Sequence, residues 1–249
     1  MKLNYVQTSN HERFMAGVTL AENGIAQEAR TVLVAGEPGT GKSRTVEHYG
    51  ANRNAIYVPG MPGMNLPYIR ALLADELGIN DLKGYALQKN IDSEMIRRRQ
   101  PIILDEAQHG LDNKAVVIEY LRRIVEQAGT VLILVCHISE KHRFAEHKLA
   151  HIATRIKSVV DFEPATQSDT QLYLEQLCEV SLDDNIARLV HEQSRGRYRL
   201  MASAVQTLEA LAAAKNKTAL VEADVKGYLL CEDAMSSLRK GAHSRKVAK

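Results

Sequence analysis

The sequence has no long apolar run. Its longest, Val131–Cys136, falls far short of the roughly 20 residues a membrane-spanning helix needs. The opening Met1-Lys2-Leu3-Asn4-Tyr5-Val6-Gln7 contains no apolar core, so no signal peptide is expected. Cysteine is scarce. Cys136, Cys178 and Cys231 are widely spaced and form no CxxC pair, which argues against a disulfide framework or a zinc site and predicts reduced thiols in a cytoplasmic protein. Net charge is nearly absent, with 32 Lys+Arg against 30 Asp+Glu, so overall basicity does not point to nucleic acid. The charge is unevenly placed, however. Arg239, Lys240, Arg245, Lys246 and Lys249 crowd into 239–249 with no acid, and taking those five from +2 leaves −3 on the rest. No repeat or low-complexity stretch occurs. What remains is an ordinary globular composition, 45% apolar and 25% charged over 249 residues, enough for one large domain or one with a small satellite.

Periodicity predicts a helical stretch over 4–29 with a break near Gly17 and an end near Asn23-Gly24. Short β-branched runs predict strands at Thr31–Ala35, Ala55–Val58, Pro101–Asp105, Val131–Cys136 and Lys157–Phe162. Helices are expected between them: from Ser43, from Leu66 to Leu77 with Gly78 closing it, from Tyr85 to Arg99, and over 113–128. In the last, Val116, Val117, Tyr120, Leu121 and Ile124 form the apolar face. Alternating strands and helices imply an α/β domain, a parallel sheet flanked by helices. After Pro164 the strand signal fades. Helices are expected near 168–179, 183–193, 198–214 and 222–230, with Ser168 and Asp183 as N-caps. The predicted division is an α/β domain over 1–163 that includes the N-terminal helical segment, a small all-helical domain over 164–232, and a basic tail over 233–249.

Gly36-Glu37-Pro38-Gly39-Thr40-Gly41-Lys42-Ser43 matches G-x-x-x-x-G-K-[ST] in full, after an apolar strand and before a helix. Glycines let successive backbone N–H groups turn toward a polyphosphate. The helix that follows adds its positive N-terminal dipole. Lys42 is expected on the β- and γ-phosphates of ATP and Ser43 on Mg²⁺, a cation that prefers oxygen ligands. Ile102-Ile103-Leu104-Asp105-Glu106 is an apolar strand ending in two carboxylates, the form of a Walker B motif. Asp105 is expected to hold the Mg²⁺ and Glu106 to act as general base on the attacking water.

Cys136-His137 ends the fourth strand, and the carboxyl ends of parallel strands face the ligand crevice. His137 is therefore the candidate for sensing the γ-phosphate or orienting water, with Ser139 as second choice. Arg155, just before the fifth strand, is a candidate to reach a neighbouring subunit's phosphate; a plain surface role is the alternative. Arg195, Arg197 and Arg199 flank Gly196 at a helix start, where one of them could cover the nucleotide or simply be solvated.

This order of motifs resembles the AAA+ P-loop NTPases over about residues 10–230. The runs Leu104-Asp105-Glu106-Ala107-Gln108-His109 and Val135-Cys136-His137, the short helical lid and the compact length resemble the branch of phage Mu B and the TnsC-type transposition regulators. That resemblance implies an ATPase that assembles as a homo-oligomer, ring or filament, on duplex DNA and recruits or activates a transposase. It places His137 at the sensor 1 position, Arg155 at the arginine finger and Arg199 at the sensor 2 arginine. It also implies that the ATPase domain itself grips the DNA.

Three DNA-facing candidates follow. One is the loop 59–65, through backbone N–H groups and Asn65. A second is Arg97-Arg98-Arg99, which could equally complement a helix C-terminus. The third is the tail with Lys240. The competing function is a replication-associated AAA+ ATPase of the helicase-loader or initiator type. A peptide-handling ATPase ranks last, because no aromatic-Gly pair stands in the loop after the second strand.

Overall fold

The computed structural model describes residues 1–2, 4–24, 29–79, 81–146 and 149–231. They fall into two compact units, one of residues 10–163 and one that joins residues 1–9 to the chain from Pro164 onward.

The first unit is built on five parallel strands: β1 (Thr31–Gly36), β2 (Ile56–Pro59), β3 (Ile102–Asp105), β4 (Leu132–His137) and β5 (Ile156–Phe162), in the order β2-β3-β4-β1-β5. Successive strand side chains point to opposite faces, and the sequence uses both. Leu33, Ile102, Leu104, Leu132 and Leu134 pack on one side with α3 (Leu66–Leu77), α4 (Gly84–Arg98) and α5 (Asp112–Ala128). Val32, Val34, Ile103, Ile133 and Val135 pack on the other with Phe14 and Val18 of α1 (Ser9–Glu22) and Val46 and Tyr49 of α2 (Lys42–Arg53). A short helix, α6 (Ala150–Ala153), precedes β5. Continuous apolar runs are what a sheet covered on both faces requires.

The expected break at Gly17 does not occur. α1 runs through it, and the glycine lets the helix lie against β5: a Cβ there would stand 2.5 Å from Val160 Cγ2. The apolar face of α5 also differs, because Ile118 is buried whereas Val116 is 38% exposed. Asn113, Lys114 and Ala115 turn left-handed (φ 50, 63 and 58), so the right-handed helix starts only after them and the register shifts.

The second unit contains α7 (Gln167–Leu177), α8 (Asp184–Ser194), α9 (Tyr198–Ala214) and α10 (Glu222–Val225) around a core that includes Ile186, Val190, Met201, Val205 and Leu208. It is not all-helical. β6 (Ser181–Leu182) and β7 (Ala219–Leu220) pair in parallel, pieces too short to leave a periodic signal. α10 ends at Val225, well before the expected 230. The N-cap of α7 is Thr166 rather than Ser168: Thr166 accepts from the Asp169 N–H and Asp169 from the Thr166 N–H, a reciprocal capping box. Asp169 is buried and also takes the Ser9 N–H at 2.8 Å and its hydroxyl at 2.7 Å. Asp183 caps α8 as expected, accepting from the Asn185 N–H.

Cys136, Cys178 and Cys231 are free and buried. Among the described residues no helix is long and apolar enough to cross a membrane.

Candidate nucleotide-binding site

The site lies where the parallel strands end. β1 ends at Gly36, whose neighbours leave no room for a side chain: a Cβ would meet Phe162 Cβ and O at 2.8 Å. Gly39 and Gly41 take φ of 86 and 90, the left-handed region open to glycine at no cost. Thr40, buried, ties the loop to itself by donating its hydroxyl to the Glu37 carbonyl at 2.8 Å. Asn10 Nδ2 donates to the Thr40 carbonyl at 3.2 Å and to the Glu163 carbonyl at 2.7 Å, while its Oδ1 accepts from the Glu163 N–H.

α2 begins directly after Gly41 with no side chain capping its first N–H groups. An uncapped helix start beside a glycine loop is an anion cradle. Lys42 folds over it, with Nζ donating to the carbonyls of Gly36 at 2.7 Å and Glu37 at 2.9 Å. Burial lowers its pKa below the usual lysine range, against the opposing pull of Cys136, Asp105, Glu106 and Glu37. A half-buried ammonium held only by carbonyls suits a phosphate partner. Cys136, in turn, is pushed up to about 12 by burial, so its thiol stays protonated beside Lys42.

β3 delivers the two carboxylates. Both oxygens of Asp105 are held: Oδ2 accepts from the Tyr57 hydroxyl at 2.5 Å and Oδ1 from the Glu106 N–H at 2.9 Å. Burial first, then the bond to Asp105, raises the pKa of Tyr57, which keeps it a donor. Glu106 is exposed and its backbone is left-handed, φ 47 and ψ 45. Gln108 Nε2 donates to Glu106 Oε2 at 2.5 Å. Gly60, just past β2, packs on this corner: its N–H donates to the Asp105 carbonyl at 2.8 Å.

His137 ends β4 opposite Gly36 of β1. Its Nδ1 accepts from the Ser139 N–H at 3.2 Å and lies 2.7 Å from the Ser139 hydroxyl. With Nδ1 an acceptor, Nε2 is the ring nitrogen left to donate.

The structure thus brings Gly36–Ser43, Asp105, Glu106 and His137 to one edge of the sheet. Arg155 is elsewhere in the same unit. β5 starts at Ile156, level with Thr31, and reaches Gly36's level only at Phe162. Arg155 therefore lies at the opposite edge, about 20 Å of strand away from its own P-loop. Arg199 is an exposed residue in the first turn of α9, in the second unit.

Of the DNA-facing candidates, Asn65 follows β2 and caps α3 through its Oδ1, which accepts from the Tyr68 N–H at 3.1 Å. Arg97 and Arg98 both bind Glu94, and Arg98 also donates to the Leu77 carbonyl. These bonds hold the Glu94 carboxyl down at about 2. Arg99 closes α4 in a left-handed conformation. All three precede β3 and so lie at the amino edge of the sheet, away from Asp105. Lys240 and the tail lie outside the described residues.

Sequence reasoning missed Asn10, Tyr57, Gly60 and Gln108 as parts of the site. Only Gln108 had a signal, since it stands within the run that follows the Walker B strand.

Among the described residues no three His, Cys, Asp or Glu side chains gather into a ready-made metal site. Mg²⁺ is commonly held by one or two protein oxygens together with phosphates and water, and Ser43 and Asp105 are the oxygen donors expected for it from the sequence.

Residues 25–144 match the family model for the AAA domain. No curated protein matches the sequence. Among solved structures the chain is similar to Cdc6p from Pyrobaculum aerophilum, at 17% identity over 90% of this chain and 68% of that one, with a TM-score of 0.61. It is also similar to ORC2 from Aeropyrum pernix, at 16% identity over 95% and 72%, with a TM-score of 0.66. Domain III of the replication initiation protein DnaA from Thermotoga maritima aligns at 14% identity over 89% and 92%, with a TM-score of 0.57. The parallel five-stranded sheet, the P-loop at the end of β1 and the helices after β5 together make this an AAA+ P-loop fold.

Proposed function

We propose that the chain is an ATP-hydrolysing switch that acts on duplex DNA as an oligomer, of the replication initiator or helicase-loader type. The observation that carries the nucleotide part is the uncapped start of α2 under Lys42, facing Asp105 and Glu106 across the sheet edge. The initiator part is supported by fold likeness over nine-tenths of the chain to Cdc6p and ORC2. The ORC2 structure is of ADPNP–ADP complexes, which supports an adenine nucleotide.

In this reading the N–H groups of 36–43 bind the phosphates and Lys42 adds its charge. Ser43 and Asp105 hold Mg²⁺, which when bound neutralises phosphate charge. Tyr57 and the Glu106 N–H hold the Asp105 carboxylate in place. Glu106 takes a proton from the attacking water, and the His137 Nε2–H is placed to donate at the same edge. Arg155, remote from its own P-loop, serves the site of a neighbouring subunit. Arg199 is the candidate for the sensor 2 arginine.

A second reading, a transposition target-selection regulator that recruits a transposase, is favoured by the run Leu104–His109 and by Val135-Cys136-His137. Both readings place the protein on DNA. Fluorescence anisotropy with duplex DNA should show tighter binding with ATP than with ADP, and equal binding would count against both. Negative-stain images with ATP would then separate rings from long filaments. Stimulation of strand transfer by a purified transposase would select the second reading, and nucleotide-dependent placement of a helicase on DNA the first.

A further inference from the structure

The residue after next from the candidate base has an unusual environment. Gln108 directs its Nε2 to Glu106 Oε2 at 2.5 Å, while its Oε1 is buried and makes no hydrogen bond. A buried acceptor without a partner is costly, so the amide does not take this orientation for its own satisfaction. Turning it over would set its oxygen against the carboxylate. The attraction to Glu106 decides the orientation. Glu106 itself needs holding, because it is exposed on a left-handed backbone, a conformation that persists in a non-glycine residue only when its surroundings impose it. Gln108 lies within the turn Ala107–Leu111, whose Ala107 and Leu111 are buried in the core, so its own backbone is anchored.

We infer that Gln108 is a positioning residue for hydrolysis: its amide fixes one oxygen of Glu106 and leaves the other free to face the attacking water. The inference rests on the reading of Glu106 as general base. An N–H donor in this place keeps the carboxylate aimed, and no proton need leave Gln108 at any stage.

The test compares Gln108→Met and Gln108→Glu with the unaltered chain in steady-state ATP hydrolysis, nucleotide binding and thermal unfolding. Methionine conserves length, removes the donor and also removes the orphaned oxygen, so folding is not placed at risk. The expected result is kcat lowered about 10- to 100-fold in Gln108→Met, with KM, nucleotide affinity and Tm unchanged. Gln108→Glu sets two carboxylates against each other and should lower kcat further at unchanged nucleotide affinity. A kcat within twofold of the parent in both variants would overturn the role of Gln108. A fall in nucleotide affinity equal to the fall in kcat would overturn it as well, since the effect would then lie in binding. Absence of ATP hydrolysis by the unaltered chain would refute the ATPase reading itself, and the inference with it.

Discussion

Gly60→Ala tests whether the corner formed by Asp105 and Glu106 is held as tightly as the structure indicates. The φ of Gly60 lies outside the left-handed region, so alanine carries no conformational penalty there and acts as a steric probe. Its Cβ would stand 2.3 Å from the Asp105 carbonyl oxygen and 2.5 Å from that of Glu106. Carbon and oxygen normally approach to about 3.3 Å, so backbone must move by about 1 Å. Both neighbours are main chain and cannot rotate away. The peptide that carries the base is thus displaced by an amount that commonly costs about 100-fold in rate. Overpacking of this kind destabilises by about 1–3 kcal/mol, a shift of a few degrees in Tm at this chain length. The assay is ATP turnover beside nucleotide binding and thermal unfolding: kcat should fall about 100-fold while nucleotide affinity stays within a few-fold. Gly63→Ala is the control. Gly63 has φ 78 and nothing within 4 Å of its would-be Cβ, so it should cost backbone strain of about 1 kcal/mol and leave kcat alone. Normal turnover in Gly60→Ala, or equal loss in the two variants, would refute the reasoning.

Lys42→Ala should weaken nucleotide binding about 10- to 100-fold, the worth of one or two charge-assisted bonds, as read by titration with a fluorescent ATP analogue. Glu106→Gln should bind nucleotide normally and hydrolyse it poorly, so that a single-turnover assay finds ATP still intact on the protein. Arg155→Ala should lose turnover yet recover part of it when mixed with Glu106→Gln subunits, which supply the arginine; no recovery in mixed assemblies would exclude a finger acting between subunits. Asp224 gives a pH signature. Its pKa is lowered from an ordinary 3.8 to about 2, first by the hydrogen bond from Lys217 and then by the Val221 N–H. A carboxyl depressed in the folded state adds stability that is complete above 3.8 and is lost as pH falls toward 2. Asp224→Asn should therefore lower Tm at pH 5 and match the parent near pH 2 in a thermal series.

Much of the fold was legible because each central strand is an apolar run ending at a glycine or a polar residue. Thr31–Gly36, Ile102–Asp105 and Leu132–His137 needed no tertiary information to be read, and the glycine signature before Lys42 pointed to the edge where they end together. The missed features depend on contacts across the chain. Gly17 looks like a helix breaker until Val160 is seen against it. Gly60 looks like the end of a strand, whereas its value lies in what touches it from Asp105 and Glu106. Tyr57 reads as an ordinary strand aromatic, and only the Pro59–Asp105 register of β2 on β3 brings its hydroxyl to the carboxylate. β6 and β7 are two residues each, below any periodicity. Arg97 and Arg98 drew notice as a cationic run, but Glu94 lies one turn earlier and occupies both.

Asn10 has a consequence for how the chain could be cut. It is the first residue of the α/β unit and Glu163 is the last, and the two are joined by a pair of hydrogen bonds. The unit is thus an uninterrupted stretch whose ends are already fastened together, in the manner of a domain inserted into a host. Excising residues 10–163 leaves a continuous chain with adjacent termini, the arrangement that tolerates circular permutation and transplantation. The helical unit is the interrupted one, and Ser9 and Pro164 are the ends a linker would join to make it a single chain.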